Sequence, residues 1–283
     1  EYIKEESYFF RLSKYKSKVI NLITKQNLIY PEHRKNEILT RLKKDGLKDL
    51  SVTRINRTWG IKCPIDKKHV IYVWYDALLN YYTATRSKGK EKYWPADAHI
   101  IGKGINWFHS VIWPAILFSA GIKQPRKIIV HGYLTINGKK IGKSLGNVID
   151  TKELINKYSG DAIRYYLIRE IPFGQDGDFS EIALKNRINN ELANDLGNLV
   201  SRVLTLAEKN FNEVKKKEID KDLSSQFNLK KIQNYMEAFE PHLALGEIWK
   251  FIQIINKHIN DEKPWEMDKK DLEMHLYTIL ESL

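Results

Sequence analysis

His99-Ile100-Ile101-Gly102-Lys103-Gly104 and, further along, Lys127-Ile128-Ile129-Val130-His131-Gly132 decide the fold: each is a short β-branched run that ends in glycine. Such runs predict strands. The residues between them predict a crossover helix that extends to Ala120, with Gly121 as its cap. Working outward, Val70-Ile71-Tyr72-Val73 predicts a buried strand running into a helix from Asp76, and Ser51 to Arg54 predicts a strand leading to Trp59-Gly60. Nearer the start, Leu12, Val19, Leu22 and Ile23 recur at helical spacing and predict a helix from Tyr8 to about Ile23. Pro31 opens a second helix that Gly46 closes. Strands alternating with helices imply a parallel sheet with right-handed crossovers, whose ligands sit beyond the carboxyl ends of the strands.

His131 lies at such an end, followed by Gly132-Tyr133-Leu134-Thr135-Ile136-Asn137-Gly138-Lys139-Lys140-Ile141-Gly142-Lys143-Ser144-Leu145. Gly138 and Gly142 allow close turns with exposed amide N–H groups, Lys140 and Lys143 bring ammonium charge, and Ser144 adds a hydroxyl. That combination suits a polyphosphate. A surface hairpin with an Asn-Gly turn and solvated lysines is the other reading of the same residues. A helix is expected from about Thr151. Residues 171 to 179, dense in Gly, Pro and Asp, read as a linker, after which strand signals vanish. Glu181 to Asn210, Leu229 to Lys257 and Leu272 onward read as amphipathic helices, the last two separated by Asp261-Glu262-Lys263-Pro264, so a helical bundle is expected to follow the α/β part.

At 283 residues with 42% hydrophobic content the chain is long enough for two domains with real cores. A net charge of +12 favours a polyanionic partner, although the same excess of lysine could arise from compositional bias. The single cysteine, Cys63, excludes an intrachain disulfide framework and a multi-cysteine zinc knuckle within these residues, and it reads as packing. No long apolar span or signal segment is present, so the expectation is a soluble, cytoplasmic protein with no membrane partner.

Lys140-Ile141-Gly142-Lys143-Ser144 resembles the KMSKS signature of class I aminoacyl-tRNA synthetases, and Asp161-Ala162-Ile163-Arg164-Tyr165-Tyr166-Leu167 resembles their stem-contact segment. Met and the first Ser of the signature are replaced by Ile141 and Gly142, while both lysines and the final serine are kept. By that resemblance Lys140, Lys143 and Ser144 would bind ATP, the lysines would stabilise the departing pyrophosphate, and His131 would contact the nucleotide.

Trp74, Ala77, Leu78 and Tyr81 fall at i, i+3, i+4 and i+7, one face of a helix, which on spacing alone is a core stripe. Residues 73 to 81 are similar to the methionine-pocket segment of methionyl-tRNA synthetases, which implies that these four line the side-chain pocket. Aromatic walls suit a thioether. Gly102 to His109 with Trp113-Pro114-Ala115 looks like the next block of that family, which implies that Ile105 and His109 contact the amino acid. Gly104 stands where the family usually carries Asp. Val52-Thr53-Arg54 followed by Trp59-Gly60-Ile61 resembles the segment whose Arg helps organise activation. The acidic residue that follows that Arg in the family is Ile55 here, so Arg54 is expected to be less firmly oriented; a surface arginine on a strand edge is the alternative.

Residues 191 to 202, and Asn256 through Trp265, resemble the stretches by which these synthetases read the CAU anticodon. Trp265 would stack on an unpaired base, and Asn198 and Arg202 would hydrogen-bond base edges; packing after Pro264 is the plain alternative for Trp265.

The resemblance implies an α/β fold: the second half of a Rossmann-like class I synthetase catalytic domain, followed by an all-α anticodon-binding helical bundle. Its divisions would be 1–48, the tail of a connective insertion with helices; 49–126, the second half of the catalytic domain; 127–178, the lysine loop and stem-contact region; and 179–283, a bundle expected to be truncated. The implied substrates are methionine, ATP with Mg2+, and tRNA(Met). Zinc would belong only to the connective insertion. The HIGH-containing half and the acidic residue that holds the substrate amino group are expected ahead of residue 1. The chain therefore reads as a piece of a longer protein or one subunit of a split enzyme, with a separate amino-terminal half as partner and no activity by itself. A sibling class I synthetase with another amino acid, which would change the Trp74 to Tyr81 wall and Trp265, and a non-catalytic tRNA-binding module, which would tolerate losses such as Gly104, are the two competing classes.

Overall fold

The computed structural model describes residues 5–55, 57–142 and 146–283. They form two compact units, 1–132 and 133–283. The first holds β1 (Phe9–Phe10), α1 (Lys16–Lys25), β2 (Ile29–Tyr30), α2 (Glu32–Lys44), β3 (Leu50–Ser51), β4 (Thr53–Arg54), β5 (Val70–Ile71), α3 (Val73–Ala77), α4 (Asn80–Thr83), β6 (His99–Gly102), α5 (Trp113–Ala120) and β7 (Ile128–His131). β2, β7 and β6 make a parallel sheet in that order, with Ile29 and His99 both level with Ile128 and Gly102 level with His131. Parallel strands need crossovers, and α2 and α5 supply helices between them. Val19, Leu22, Ile23, Leu42, Trp113, Leu117, Ile128 and Val130 fuse into one core, so the amino-terminal helices and the sheet bury the same apolar surface.

Three local expectations are corrected here. Tyr8 to Arg11 is not helical: Phe9 and Phe10 pair antiparallel with Ser51 and Leu50, and the α-helix begins at Lys16 after a 3-10 turn over Leu12–Tyr15. Tertiary pairing has overridden the helical spacing. The strand at Val70 stops at Ile71, opposite Thr53 where its antiparallel partner Thr53–Arg54 begins, and α3 starts at Val73, earlier than the expected Asp76. Val73 is 61% exposed rather than buried.

From Phe108 to Ile112 the crossover helix widens into a π-turn, with the Trp113 N–H bonding Phe108 O. Pro114 explains the widening, because it lacks the N–H that an α-helix would aim at Ser110.

The second unit opens with a hairpin, β8 (Leu134–Ile136) and β9 (Lys139–Lys140). α6 (Thr151–Tyr158) and α7 (Gly160–Glu170) follow, then β10 (Gly177–Asp178) and the helices α8 (Glu181–Arg187), α9 (Asn198–Asn210), α10 (Lys221–Ser224), α11 (Leu229–Glu237), α12 (Pro241–Glu262) and α13 (Lys269–Ser282). Segment 171–179 is more than a linker: Gly177 and Asp178 pair parallel with Leu134 and Thr135 and complete a three-stranded sheet. A Cβ at Gly177 would collide with Ile171, so this glycine permits close packing rather than a turn. The helix expected over 229 to 257 is two, broken where Phe239 takes a φ of +57° and Pro241 restarts the chain at an N-terminal position. A π-helical stretch, Ile188–Gly197, joins α8 to α9, and Leu199, Val203, Trp249, Ile255, Ile259, Leu276 and Ile279 form the bundle core. No helix among the described residues is long and apolar enough to cross a membrane.

Candidate functional site

In the first unit the helical stripe divides into core and wall. Leu78 is 1% exposed and belongs to the core, while Trp74, Ala77 and Tyr81 are half-buried. The Trp74 indole stacks on Phe108 with ring centroids 4.3 Å apart. Tyr81 meets the buried His109, whose Nε2 lies 2.8 Å from the phenol oxygen, and His109 Nδ1 lies 3.0 Å from Ile105 O. A carbonyl only accepts, so Nδ1 carries the proton, and the Tyr81 O–H donates to Nε2. Both ring nitrogens of His109 are thus engaged, and its position fixes Tyr81. Behind this pair the buried His99 accepts from Trp113 Nε1 at 3.2 Å, and the Tyr81 ring sits 4.3 Å from the His99 ring. Burial, reinforced by the neighbouring His109, pushes the His99 pKa down to about 4, and burial also lowers His109 and raises Tyr81. The cluster is therefore neutral at pH 7. The structure brings Tyr81, Ile105 and His109 into one hydrogen-bonded group. His99 and Trp113 are its backing, which the sequence marked as a strand residue and as part of a family block but not as support for Tyr81.

His131 stands exposed at the carboxyl end of β7, and its Nδ1 donates to Gly132 O at 2.8 Å. A Cβ on Gly102, the facing residue of β6, would lie 3.5 Å from the His131 ring, so the two strand ends and the exposed Gly104 share one rim. Arg54 is not loosely held. Its Nη1 donates to Ser51 Oγ and Thr53 O, both at 2.7 Å, and its guanidinium stacks 4.2 Å from the Tyr72 ring. A carboxylate also reaches the position after it, since Glu5 Oε1 accepts from the Ile55 N–H at 2.8 Å. Cys63 is buried and free.

In the second unit the loop forms the Asn-Gly hairpin: Asn137 and Gly138 both take positive φ, +52° and +70°, the two-residue turn that matches strand twist. Asp178 bolts the turn, accepting from Thr135 Oγ1 at 2.6 Å, Gly138 N at 2.9 Å and Asn137 N at 3.1 Å, and these donors, Thr135 foremost, hold its carboxyl below the usual range. Asn147 ties the next turn by accepting from Gly142 N at 3.0 Å and donating to Lys140 O at 3.1 Å. Lys140 is exposed, with Nζ 4.8 Å from the Tyr133 ring centroid. Lys143 and Ser144 lie outside the described residues. Sequence reading missed Asp178, whose signal was hidden inside a segment that looked like a linker.

A second aromatic site lies in the bundle. Ser201, Arg202, Thr205, Leu206, Ile259 and Trp265 line a hollow of about 280 Å³, and Trp265 is 56% exposed. The Arg202 guanidinium donates to Asn260 Oδ1 at 3.1 Å and Asn256 Oδ1 at 2.5 Å, and Asn256 is oriented in turn by its own donation to Asp195 O at 3.0 Å. The structure brings Arg202 and Trp265 together; Asn198, exposed one turn before Arg202, is not in the wall of that hollow. Among the described residues no group of three or more His, Cys, Asp or Glu is placed to hold a metal ion.

Residues 1–204 match the family model described as tRNA synthetases class I (M). The chain is 48% identical to a methionine–tRNA ligase from Caldanaerobacter subterraneus subsp. tengcongensis over its whole length, and 44% identical over 99% of it to one from Thermotoga maritima; it covers 47% and 46% of those proteins. It thus spans about half the length of the curated relatives it matches. The crystal structure of the Mycobacterium tuberculosis methionyl-tRNA synthetase bound by methionyl-adenylate superposes with a TM-score of 0.90 at 38% identity, over 98% of this chain and 58% of that one.

Proposed function

The chain belongs to the class I tRNA synthetases of the M type, and on that premise we propose that it carries the methionine wall, the pyrophosphate-facing lysines and the anticodon-reading bundle of a methionine–tRNA ligase. The reaction is ATP-dependent activation of methionine followed by transfer of the aminoacyl group to the 3′-terminal adenosine of tRNA(Met). The relatives are methionine–tRNA ligases and one structural neighbour holds methionyl-adenylate, which supports that chemistry here.

The observation that carries the reading is the half-buried wall of Trp74, Ala77, Tyr81 and Ile105, uncharged and with two aromatic rings, with the Tyr81 hydroxyl locked by His109. Polarizable sulfur packs well against such rings, and a wall without charge accepts an uncharged side chain without a desolvation cost. His109 acts through Tyr81, since neither of its nitrogens is free. The methionine carboxylate attacks the α-phosphate of ATP, pyrophosphate leaves, and Lys140 and Lys143 stabilise the charge on the departing group, with Ser144 and His131 as further nucleotide contacts and Arg54 organising activation. Magnesium enters as part of the ATP substrate. In the bundle, Trp265 stacks on an anticodon base while Arg202, and Asn198 near it, bond base edges. The four sequence divisions, 1–48, 49–126, 127–178 and 179–283, are assigned on the same ground to insertion tail, catalytic half, lysine-loop region and anticodon bundle.

The 283 residues alone are expected to show no methionine-dependent ATP–pyrophosphate exchange, because the family's HIGH-containing half of the nucleotide site is not among them. Adding a protein that carries that half is expected to restore exchange. Robust exchange by the purified 283-residue chain would overturn this division of labour.

A further inference from the structure

Among the described residues Trp59 is the most exposed large aromatic side chain, 89% exposed, and neither the methionine wall, the lysine loop nor the bundle gives it a role. An indole left in water loses its apolar contribution to folding, so its position has to be explained by what holds it there. Lys62 bridges Val70, the Ile71 N–H bonds Ile61 O at 2.8 Å, and the Cys63 N–H bonds His69 O at 2.9 Å, so the segment after Trp59 is sewn along β5. Gly60, at a φ of +135°, makes the turn into that seam; a Cβ there would be strained and only 3.3 Å from Val70 Cβ. The backbone thus holds Trp59 outward on a fixed base. The hollow it faces, of about 680 Å³, also contains Arg54, Arg57 and Tyr72, with Asp76 as the single acid among the described residues of its wall. Arg54 already covers one face of Tyr72, while the indole is bare.

We propose that this hollow binds the single-stranded 3′ end of the tRNA, a base stacking on Trp59 and the adjoining phosphates pairing with Arg57. A flat bare ring beside two guanidiniums is the combination that holds an unpaired nucleotide irrespective of sequence, and the basic balance of the hollow complements a phosphate chain. The inference rests on the synthetase reading, in which the 3′-terminal adenosine is the acceptor, and it assigns to Trp59 and Arg57, in the segment between β4 and β5, a role in transfer rather than in activation.

The test uses the complete enzyme with Trp59→Ala, Trp59→Phe and Arg57→Ala, comparing methionine-dependent ATP–pyrophosphate exchange with single-turnover transfer from preformed adenylate. Trp59→Ala is expected to slow transfer at limiting tRNA by about 5- to 150-fold, the range for one base–aromatic stack, with exchange nearly unchanged. Trp59→Phe is expected to recover most of the loss, and Arg57→Ala to weaken transfer and flatten its salt dependence. Intact tRNA is also expected to lose, with Trp59→Ala, its binding advantage over tRNA trimmed of its 3′ nucleotides. Equal losses in exchange and transfer, a raised KM for ATP, a lowered melting temperature that accounts for the loss, or unaltered transfer would each overturn the proposal. An unsubstituted complete enzyme without methionine-dependent exchange would overturn the synthetase reading itself, and the inference with it.

Discussion

The wall at Tyr81 and the hollow at Trp265 are both aromatic sites, yet they are built in opposite ways. Behind Tyr81 the polar atoms face inward: His109 satisfies both its nitrogens within the fold, and His99 and Trp113 pair with each other. Around Trp265 the ring stands in water and the polar work is done by Arg202, steered from below by Asn256 and Asn260. A neutral wall whose polar atoms are satisfied from behind suits a small apolar side chain, which is recognised by shape and dispersion. An open ring beside an oriented cation suits a base splayed from a loop, where stacking and edge hydrogen bonds decide. The same residue types therefore mark different ligands according to where their hydrogen bonds go.

The comparison can be broken most forcefully away from both sites. Lys143→Ala in the complete enzyme is expected to lower adenylate formation by about 10²–10³-fold, the loss of one preorganised donor to developing negative charge, with little change in methionine affinity. Single-turnover rates within a few-fold of the parent, with only methionine affinity reduced, would detach the lysine loop from the chemistry.

The buried backing of that wall makes its own prediction in acid. His99, with a pKa depressed from 6.5 to about 4, is held neutral by the fold, so its contribution to stability is complete above pH 6.5 and is lost as the pH falls from 6.5 toward 4. That contribution is at most about 3 kcal/mol. Melting temperatures across pH 4–7 are expected to fall less steeply for His99→Gln than for the parent; identical slopes would show that the backing tolerates a charged imidazole.

Tyr81→Phe removes the hydroxyl that His109 Nε2 accepts from, leaving a buried acceptor unsatisfied at a cost of about 1–3 kcal/mol. It is expected to raise the KM for methionine and leave charging by bound adenylate unaffected. Trp265→Ala, of similar or smaller size at about 1–3 kcal/mol, is expected to weaken use of tRNA while adenylate formation stays intact and the helical content is preserved. Were the two substitutions to give the same pattern of losses, the contrast between wall and platform would fail.

How far these features could be read in advance follows from what each depends on. The strands at Ile100 and Ile129 announce themselves as short β-branched runs, and Gly121 takes the left-handed cap, φ +67°, that its place after Ala120 demands. Pro31 and Gly46 likewise frame the second helix. Phe9 and Phe10 gave no local warning of a strand, because their partner Leu50-Ser51 lies about forty residues on and their conformation is set by that pairing. Gly177 and Asp178 were illegible for the same reason: two residues of low strand propensity become a strand only because Leu134 and Thr135 offer them an edge. In the sites, the family resemblance pointed to Trp74, Tyr81, Ile105, His109, Arg202 and Trp265 as candidates, but not to what holds them. Asp178 beneath the hairpin and His99 behind Tyr81 act through hydrogen bonds and ring contacts between distant segments, which no spacing encodes. The looseness expected of Arg54 failed for a similar reason, since Ser51, Thr53 and Tyr72 supply the restraint that an adjacent acid was expected to give.

The central claim, that wall and platform serve one methionine-charging reaction, is tested most directly by aminoacylation with the complete enzyme, offering methionine, leucine or isoleucine with tRNA bearing a CAU or an altered anticodon. The account predicts charging with methionine on CAU-bearing tRNA and a sharp loss when either is changed. Preference for another amino acid, or charging indifferent to the anticodon, would contradict it.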